Sequence, residues 1–279
     1  MTPTVSVVIR NRNESDHLRH VLKALRSQTV DPEIIVVDNE STDNSREIAS
    51  QYGARVILIA RNDFTFGRAL NIGIAAASAD LIINLSAHAL PLGAHFIDSV
   101  ISRFGDPRIA AVQCNDIRYI DNHFDWMSAR QISGDVQWRE IWQSCIVNTC
   151  CGIRKAVWNE IPFDETLRSA EDPFWSFQAL RAGYSIRNSD AYYWYMYRRP
   201  LYKSLVFGYR EALEQYRFSG TRRVQLSFTD VFRECVWRIP KTALRSIINS
   251  LGWYVAINLA RFTAKRHPFP AAKNTVAPQ

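Results

Sequence analysis

The chain has 279 residues, 47% of them hydrophobic and 22% charged, with 8 Trp, 11 Tyr and 14 Phe, a composition that supports a full core and excludes disorder, collagen and coiled coil. Its net charge of +7 is unevenly placed: residues 198–279 carry 15 Lys and Arg against 4 Asp and Glu, whereas residues 1–197 carry 19 against 23. Five cysteines without a C-x-x-C pair exclude a disulfide framework and a zinc ribbon and point to reduced thiols.

Val5 to Ile9 is a short apolar run rich in β-branched residues, and Leu18, Val21, Leu22 and Leu25 follow at the spacing of one helix face. Ile34 to Val37 reads as a second strand ending at Asp38, and a helix to about Tyr52 stops at Gly53. Arg55 to Ile59 is a third strand, Gly67 to Ala77 an Ala-rich helix and Leu81 to Leu85 a fourth strand. Phe96, Ile97, Val100, Ile101 and Phe104 mark a further amphipathic helix. Continuous apolar strands between helices predict an α/β fold, a mainly parallel sheet with helices on both faces. From Gln113 to Tyr197 the pattern loosens into mixed aromatic and polar residues, and beyond Pro200 it reads helical again. No secretory signal is expected from MTPTVSVVIR. The longest uncharged stretch, Ser246 to Ala260, is too short and too polar for a spanning helix, so no integral membrane protein is expected.

Ligands of open α/β sheets bind beyond the carboxyl ends of the strands. The first such loop, Arg10-Asn11-Arg12-Asn13-Glu14, has no glycine, which argues against a dinucleotide fingerprint, and no Walker A loop is present. The loops offer instead Asn11, Asn13 and Glu14, then Asp38 with Ser41 and Asp43, then Arg68 and Asn71 at the head of a helix. Amides and carboxylates can read a base edge or a ribose, and a guanidinium can hold a phosphate.

Four segments, V-S-V-V-I-R-N-R-N-E, I-I-V-V-D-N-E-S-T-D-N-S, F-T-F-G-R-A-L-N-I-G-I and L-I-I-N-L-S-A-H-A-L-P, are followed by P-F-D-E, A-E-D-P-F-W and R-A-G-Y-S-I. In this order the chain resembles family-2 glycosyltransferases of the GT-A fold, over about residues 4–197, and is similar to their bacterial rhamnosyltransferase-like branch. The resemblance implies a Rossmann-like GT-A domain over 1–197, followed by a basic, aromatic helical extension over 198–279. It implies inverting transfer of a sugar from a UDP- or dTDP-activated donor to an acceptor hydroxyl in polysaccharide or glycan assembly. Asp38 then matches the nucleobase contact, Asn11, Asn13 and Glu14 the loop beside base and ribose, and Arg68 and Asn71 positions facing nucleotide and donor sugar. Glu171 and Asp172 match the catalytic pair, with Asp172 as general base and Glu171 as a neighbour that positions acceptor or base. A Glu-Asp pair heading a helix also serves as a favourable N-terminal charge, and both roles can hold together.

The chain departs from the family where an Asp-x-Asp-like motif usually binds Mg²⁺ or Mn²⁺. The place reads Ser86-Ala87-His88, and the stretch Ala191 to Tyr197 lacks the second usual ligand. Either His88 binds a softer ion such as Mn²⁺, or the leaving diphosphate is neutralised by Arg198, Arg199, Lys203 or Arg210, or the protein is a non-catalytic nucleotide- or sugar-binding scaffold. Metal independence is the favoured expectation. Trp138, Arg139 and Trp142 are acceptor candidates. Basic residues beside Trp and Tyr, among them Trp237, Arg238, Trp253, Tyr254, Arg261 and Arg266, point to peripheral contact of a cytoplasmic protein with the inner membrane face and to a glycan or lipid-linked acceptor. No nucleic-acid motif is present, so a nucleic-acid partner is not expected.

Overall fold

The computed structural model of the protein describes residues 5–118, 131–133, 141, 145–197 and 255. Its contacts divide the chain into two compact units, Met1–Leu167 with Glu171–Tyr197, and Arg168–Ala170 with Arg198–Gln279. Every element named below belongs to the first unit. The helical extension expected over 198–279 lies, but for Val255, outside the described residues.

The chain begins with β1 (Ser6–Asn11), α1 (Ser15–Leu25), β2 (Glu33–Asp38), α2 (Ser45–Gln51), β3 (Arg55–Leu58), α3 (Phe66–Ala76) and β4 (Leu81–Ser86). It continues with β5 (Ala89–Pro91), α4 (Phe96–Ile101), β6 (Ile109–Asp116), β7 (Gln131–Ile132), β8 (Cys150–Arg154), α5 (Lys155–Glu160), α6 (Glu171–Arg181) and β9 (Ser185–Tyr195). The strands form one mixed sheet in the order β3-β2-β1-β4-β8-β6-β9-β5, with β7 against β9. Pairing is parallel along β3-β2-β1-β4 and between β6 and β9. β8 runs antiparallel to both β4 and β6, and β5 and β7 run antiparallel to β9.

The middle of the sheet is buried on both faces, which is why β1 and β2 carry the apolar runs Val7 to Ile9 and Ile34 to Val37. Val7, Ile9, Ile34 and Val36 pack on one side with Leu18, Val21, Leu22 and Leu25 of α1, Ile48 of α2 and Phe96, Ile97 and Val100 of α4. Val8, Ile35 and Val37 point to the other side and meet Ala69, Leu70 and Ile74 of α3, Val157 of α5 and Trp175 and Ala179 of α6. This is the period-2 alternation of a strand with an apolar layer above and below it. The helix over Phe96–Phe104 ends earlier than its spacing predicts, its last turn tightening into a 3₁₀ turn over Ser102–Phe104. Helix α2 stops as expected: Gly53 has φ +68, and the amides of Gly53 and Ala54 bond back to Ser50 and Ala49 in a Schellman arrangement.

Candidate functional site

Three polar clusters gather beyond the carboxyl ends of β1, β2 and β4. The first joins the loops after β1 and β2. Asp38 is fully buried. Its carboxylate accepts the Asn11 amide at 2.8 Å, the Ser41 hydroxyl at 2.6 Å and the Ser41 main-chain N–H at 2.8 Å. Ser41 Oγ in turn accepts the Asn13 main-chain N–H at 2.9 Å, and the Asn13 side chain accepts the Thr42 N–H at 2.7 Å. Asn13 stands at φ +51, a left-handed conformation that Asn tolerates because its short side chain bonds locally. Asp43 closes the loop by accepting the Ser15 and Ser45 main-chain N–H groups. Burial opposes its ionisation, but the hydrogen bonds from Ser45 and Ser15 outweigh that and hold its carboxyl below the usual range. Asn11, Asn13, Asp38 and Ser41 thus come together in this loop pair, and Asp38 binds the two loops to each other.

The second cluster surrounds the acid pair. Glu171 and Asp172 open α6, in the first turn, where negative charge meets the unpaired N–H groups of the helix start. Pro173 follows, and its missing N–H costs no helical bond there. The helix is anchored by the fully buried Trp175, whose Nε1 donates to the Ile161 carbonyl at 2.6 Å. Asn148, just before β8, donates its main-chain N–H to Asp172 Oδ2 at 3.2 Å and its side-chain amide to Glu171 Oε1 at 3.3 Å. Arg10 at the end of β1 donates to the Asn148 carbonyl at 2.9 Å and to Ser86 Oγ at 3.4 Å, and stands 3.5 Å from Glu171 Oε1. Its guanidinium also lies over the Phe66 ring, 5.2 Å from the centroid. Sequence reading missed Arg10 and Asn148. Arg10 had a signal, a cation that follows the apolar run Val7 to Ile9 within β1; Asn148 had none.

The third cluster is built on His88. Its Nδ1 lies 2.7 Å from Glu14 Oε2, which also stands 3.5 Å from His17. The ring meets Tyr195 edge-on at 4.7 Å and lies tilted against Tyr197 at 5.2 Å. The stretch Ala191 to Tyr197, where a second metal ligand was sought, therefore supplies aromatic walls to His88. Among the described residues no three His, Cys, Asp or Glu side chains come together to hold an ion. A carboxylate on the other ring nitrogen is the usual outer partner of a metal-bound His, but one imidazole alone falls short of the four or more ligands divalent ions take. Among the described residues the site offers an ion one imidazole, so water and a bound phosphate would have to supply the other ligands.

Arg68 and Asn71 lie on α3. The Arg68 main-chain N–H donates to Thr65 Oγ1, which caps the helix, and its exposed guanidinium reaches Glu165 at 4.0 Å. Asn71 spends its amide on the chain itself, donating to the Phe163 carbonyl and Glu165 and accepting from Trp158 Nε1 and the Phe163 N–H. Expected to face nucleotide and sugar, it clasps α3 to the loop of the P-F-D-E segment. Gly67 makes that clasp possible: a Cβ there would stand 2.7 Å from the Asp164 carbonyl oxygen. Trp138, Arg139, Trp142, Arg198, Arg199, Lys203 and the basic tail lie outside the described residues.

The profile of the family described as "Glycosyl transferase family 2" matches residues 6–162. An O-antigen chain rhamnosyltransferase of Salmonella anatum is 27% identical over 199 residues, covering 67% of this chain and 61% of that relative. The chain thus spans about three-fifths of the length of that relative. The fold is similar to a mannosyltransferase of Pyrobaculum calidifontis solved with GDP-Man and Mn²⁺, with TM-score 0.61 and 15% identity, covering 97% of this chain and 77% of the other. It is also similar to S. aureus TarS residues 1–349 solved with UDP-GlcNAc, with TM-score 0.58 and 17% identity over 92% of this chain and 82% of that one.

Proposed function

The chain belongs to glycosyl transferase family 2, and from that premise we propose that it transfers a sugar, with inversion, from a UDP- or dTDP-activated donor to a hydroxyl of a glycan or lipid-linked acceptor. The Salmonella relative is a rhamnosyltransferase, and rhamnose is the donor sugar we put first. The observation that carries the reading is the Glu171–Asp172 pair, held by Asn148 and Arg10 at the carboxyl ends of β1 and β4.

In the reaction the acceptor oxygen forms a bond to the anomeric carbon while the bond from that carbon to the diphosphate oxygen breaks. The electron pair of the broken bond leaves with the diphosphate. Asp172 accepts the acceptor proton, a role a positioned carboxylate fills at a gain of about 10²–10⁴ in rate. Glu171 positions the acceptor or the base. Asn11, Asn13, Glu14, Asp38 and Ser41 shape the nucleotide side, with Asp38 acting through the two loops it joins. Arg68 faces the donor from the head of α3, and Ser86 and His88 border the diphosphate.

The Pyrobaculum neighbour was solved with Mn²⁺; here the described residues around His88 offer an ion one imidazole. Arg198, Arg199 and Lys203 are the cations we assign to the departing diphosphate, since fixed positive charge aimed at developing negative charge does the same electrostatic work. Trp138, Arg139 and Trp142 are assigned to the acceptor. The same mismatch of ligands favours a second reading, a scaffold that binds nucleotide without turnover.

Calorimetry with UDP and dTDP, each in EDTA and in Mn²⁺, together with turnover of Asp172→Asn, tests the reading. Expected are nucleotide affinity that Mn²⁺ leaves unchanged and a fall in kcat of about 10²–10⁴ at unaltered nucleotide affinity. Affinity only with Mn²⁺ returns His88 to the ligands. Absence of turnover in the native protein beside intact nucleotide affinity establishes the scaffold.

A further inference from the structure

The acid pair does not stand on α6 alone. Arg10 comes from β1, at the position paired with Ser86 of β4, and Asn148 from the turn that leads into β8. The side chains of Arg10 and Glu171 are only 11% and 7% exposed, so both charges have left water. Burying such a pair gives little stability, because desolvation consumes most of the attraction, and an apolar pair of similar volume serves a core as well. The pair is also loosely made: 3.5 Å separates Arg10 Nη1 from Glu171 Oε1, beyond the roughly 2.8 Å of a good charge-assisted bond. Among the described residues, Arg10 Nε and Nη1 have no hydrogen-bond partner.

What the arrangement does achieve is orientation. Asn148 is the hub, since it touches Glu171 through its amide, Asp172 through its main-chain N–H and Arg10 through its carbonyl. Arg10 fixes the carbonyl side of that residue, and its charge holds Glu171 against the amide. The plane of the following peptide and the reach of the Asn148 N–H toward Asp172 Oδ2 are set together. The Asn84 amide steadies the hub from below, donating to Asn148 Oδ1 at 3.3 Å, and the buried Cys151 thiol donates to the same oxygen at 3.5 Å.

We infer that Arg10 and Asn148 are positioning residues for the acid pair, with Arg10 acting through Asn148 and Glu171 to aim the Asp172 carboxylate rather than by binding the donor. The inference rests on Asp172 being the general base. Misaiming a reacting group by about an ångström costs on the order of a hundredfold in rate, which sets the scale of the effect.

The experiment is a double-mutant cycle in kcat on the full chain, using Arg10→Met, Glu171→Gln and the double variant, with UDP and dTDP affinity measured on each and Asp172→Asn alongside. Each single variant is expected to lower kcat by about tenfold to a hundredfold at unchanged nucleotide affinity. The double variant is expected to fall no further than the worse single, because the two residues act as one unit. It also buries no unpaired charge, so it remains informative if Arg10→Met alone fails to fold; its kcat should then equal that of Glu171→Gln. Arg10→Lys should recover part of the loss, since it restores the charge but not the fork. Multiplying losses, a native kcat in Arg10→Met, or a fall in nucleotide affinity with that change each overturn the inference, the last by making Arg10 a donor ligand. Native turnover in Asp172→Asn overturns the base assignment and this inference with it. Lost turnover in Asp172→Asn beside native kcat in Arg10→Met overturns the inference alone.

Discussion

Asp38 shows how one side chain can prepare a site from inside the chain. Both of its oxygens accept hydrogen bonds from the loops they join, so replacing either oxygen with an NH₂ group sets donor against donor. Asp38→Asn is expected to cost about 1–3 kcal/mol of stability, the penalty of a buried group left unsatisfied, read as a lower urea midpoint. An unchanged midpoint would mean that the loops hold without this hub. Asp38, Ser41 and Asn13 were legible in the sequence because a carboxylate ending an apolar strand, followed by Ser, Thr and Asn, is turn chemistry with a known mechanism. Asn148 was not legible. Nothing near it is periodic, and its importance comes from three bonds to residues that precede it by 138 positions or follow it by 23 and 24. Asn71 was legible as a polar residue on the right helix, yet its amide is consumed by the Phe163–Glu165 loop.

Among the elements, the first half of the chain was readable because β1, β2 and β4 are buried on both faces and the helices carry an apolar stripe. Val7 and Val8 answer to different layers, yet both must be apolar. The second half hid its strands. β9 reads Ser-Ile-Arg-Asn-Ser-Asp-Ala-Tyr-Tyr-Trp-Tyr, with buried polar residues such as Asn188 and Ser189 interrupting any alternation. β8 is only Cys-Cys-Gly-Ile-Arg, too short for a period to emerge. Its Cys150 and Cys151 thiols are buried, and burial pushes both well up from the ordinary thiol range, which suits inert packing groups. The seating of α3 is testable through Gly67, where an added methyl meets the Asp164 carbonyl oxygen, part of a backbone with little room to yield. Gly67→Ala is expected to destabilise by about 1–3 kcal/mol through overpacking, measured as a lower Tm. A native Tm would show that the Phe163–Asp164 loop yields freely.

For the molecule as a whole, charge asymmetry is the feature with a measurable consequence. The acidic first part and the cationic residues 198–279 predict that the full-length protein floats with vesicles of anionic phospholipid at low salt, stays down with zwitterionic ones, and is released as salt shortens the Debye length. Flotation indifferent to lipid charge would remove the electrostatic basis for membrane contact. No helix among the described residues is long and apolar enough to cross a membrane. The antiparallel β8 carries a consequence of another kind. β1 to β4 pair among themselves using residues 6–86 alone, while the partner of β4 on its other edge is residues 150–154. A ribosome adding about 5–20 residues per second therefore releases a four-stranded half whose β4 edge waits for seconds with its N–H and C=O groups unmatched. Exposed edges of that kind invite wrong pairing, so the nascent chain passes its most vulnerable interval before the carboxylates of Glu171 and Asp172 have been translated. Premature termination in that interval leaves a polypeptide with its Asp38 loop complete and its Glu171–Asp172 pair never made.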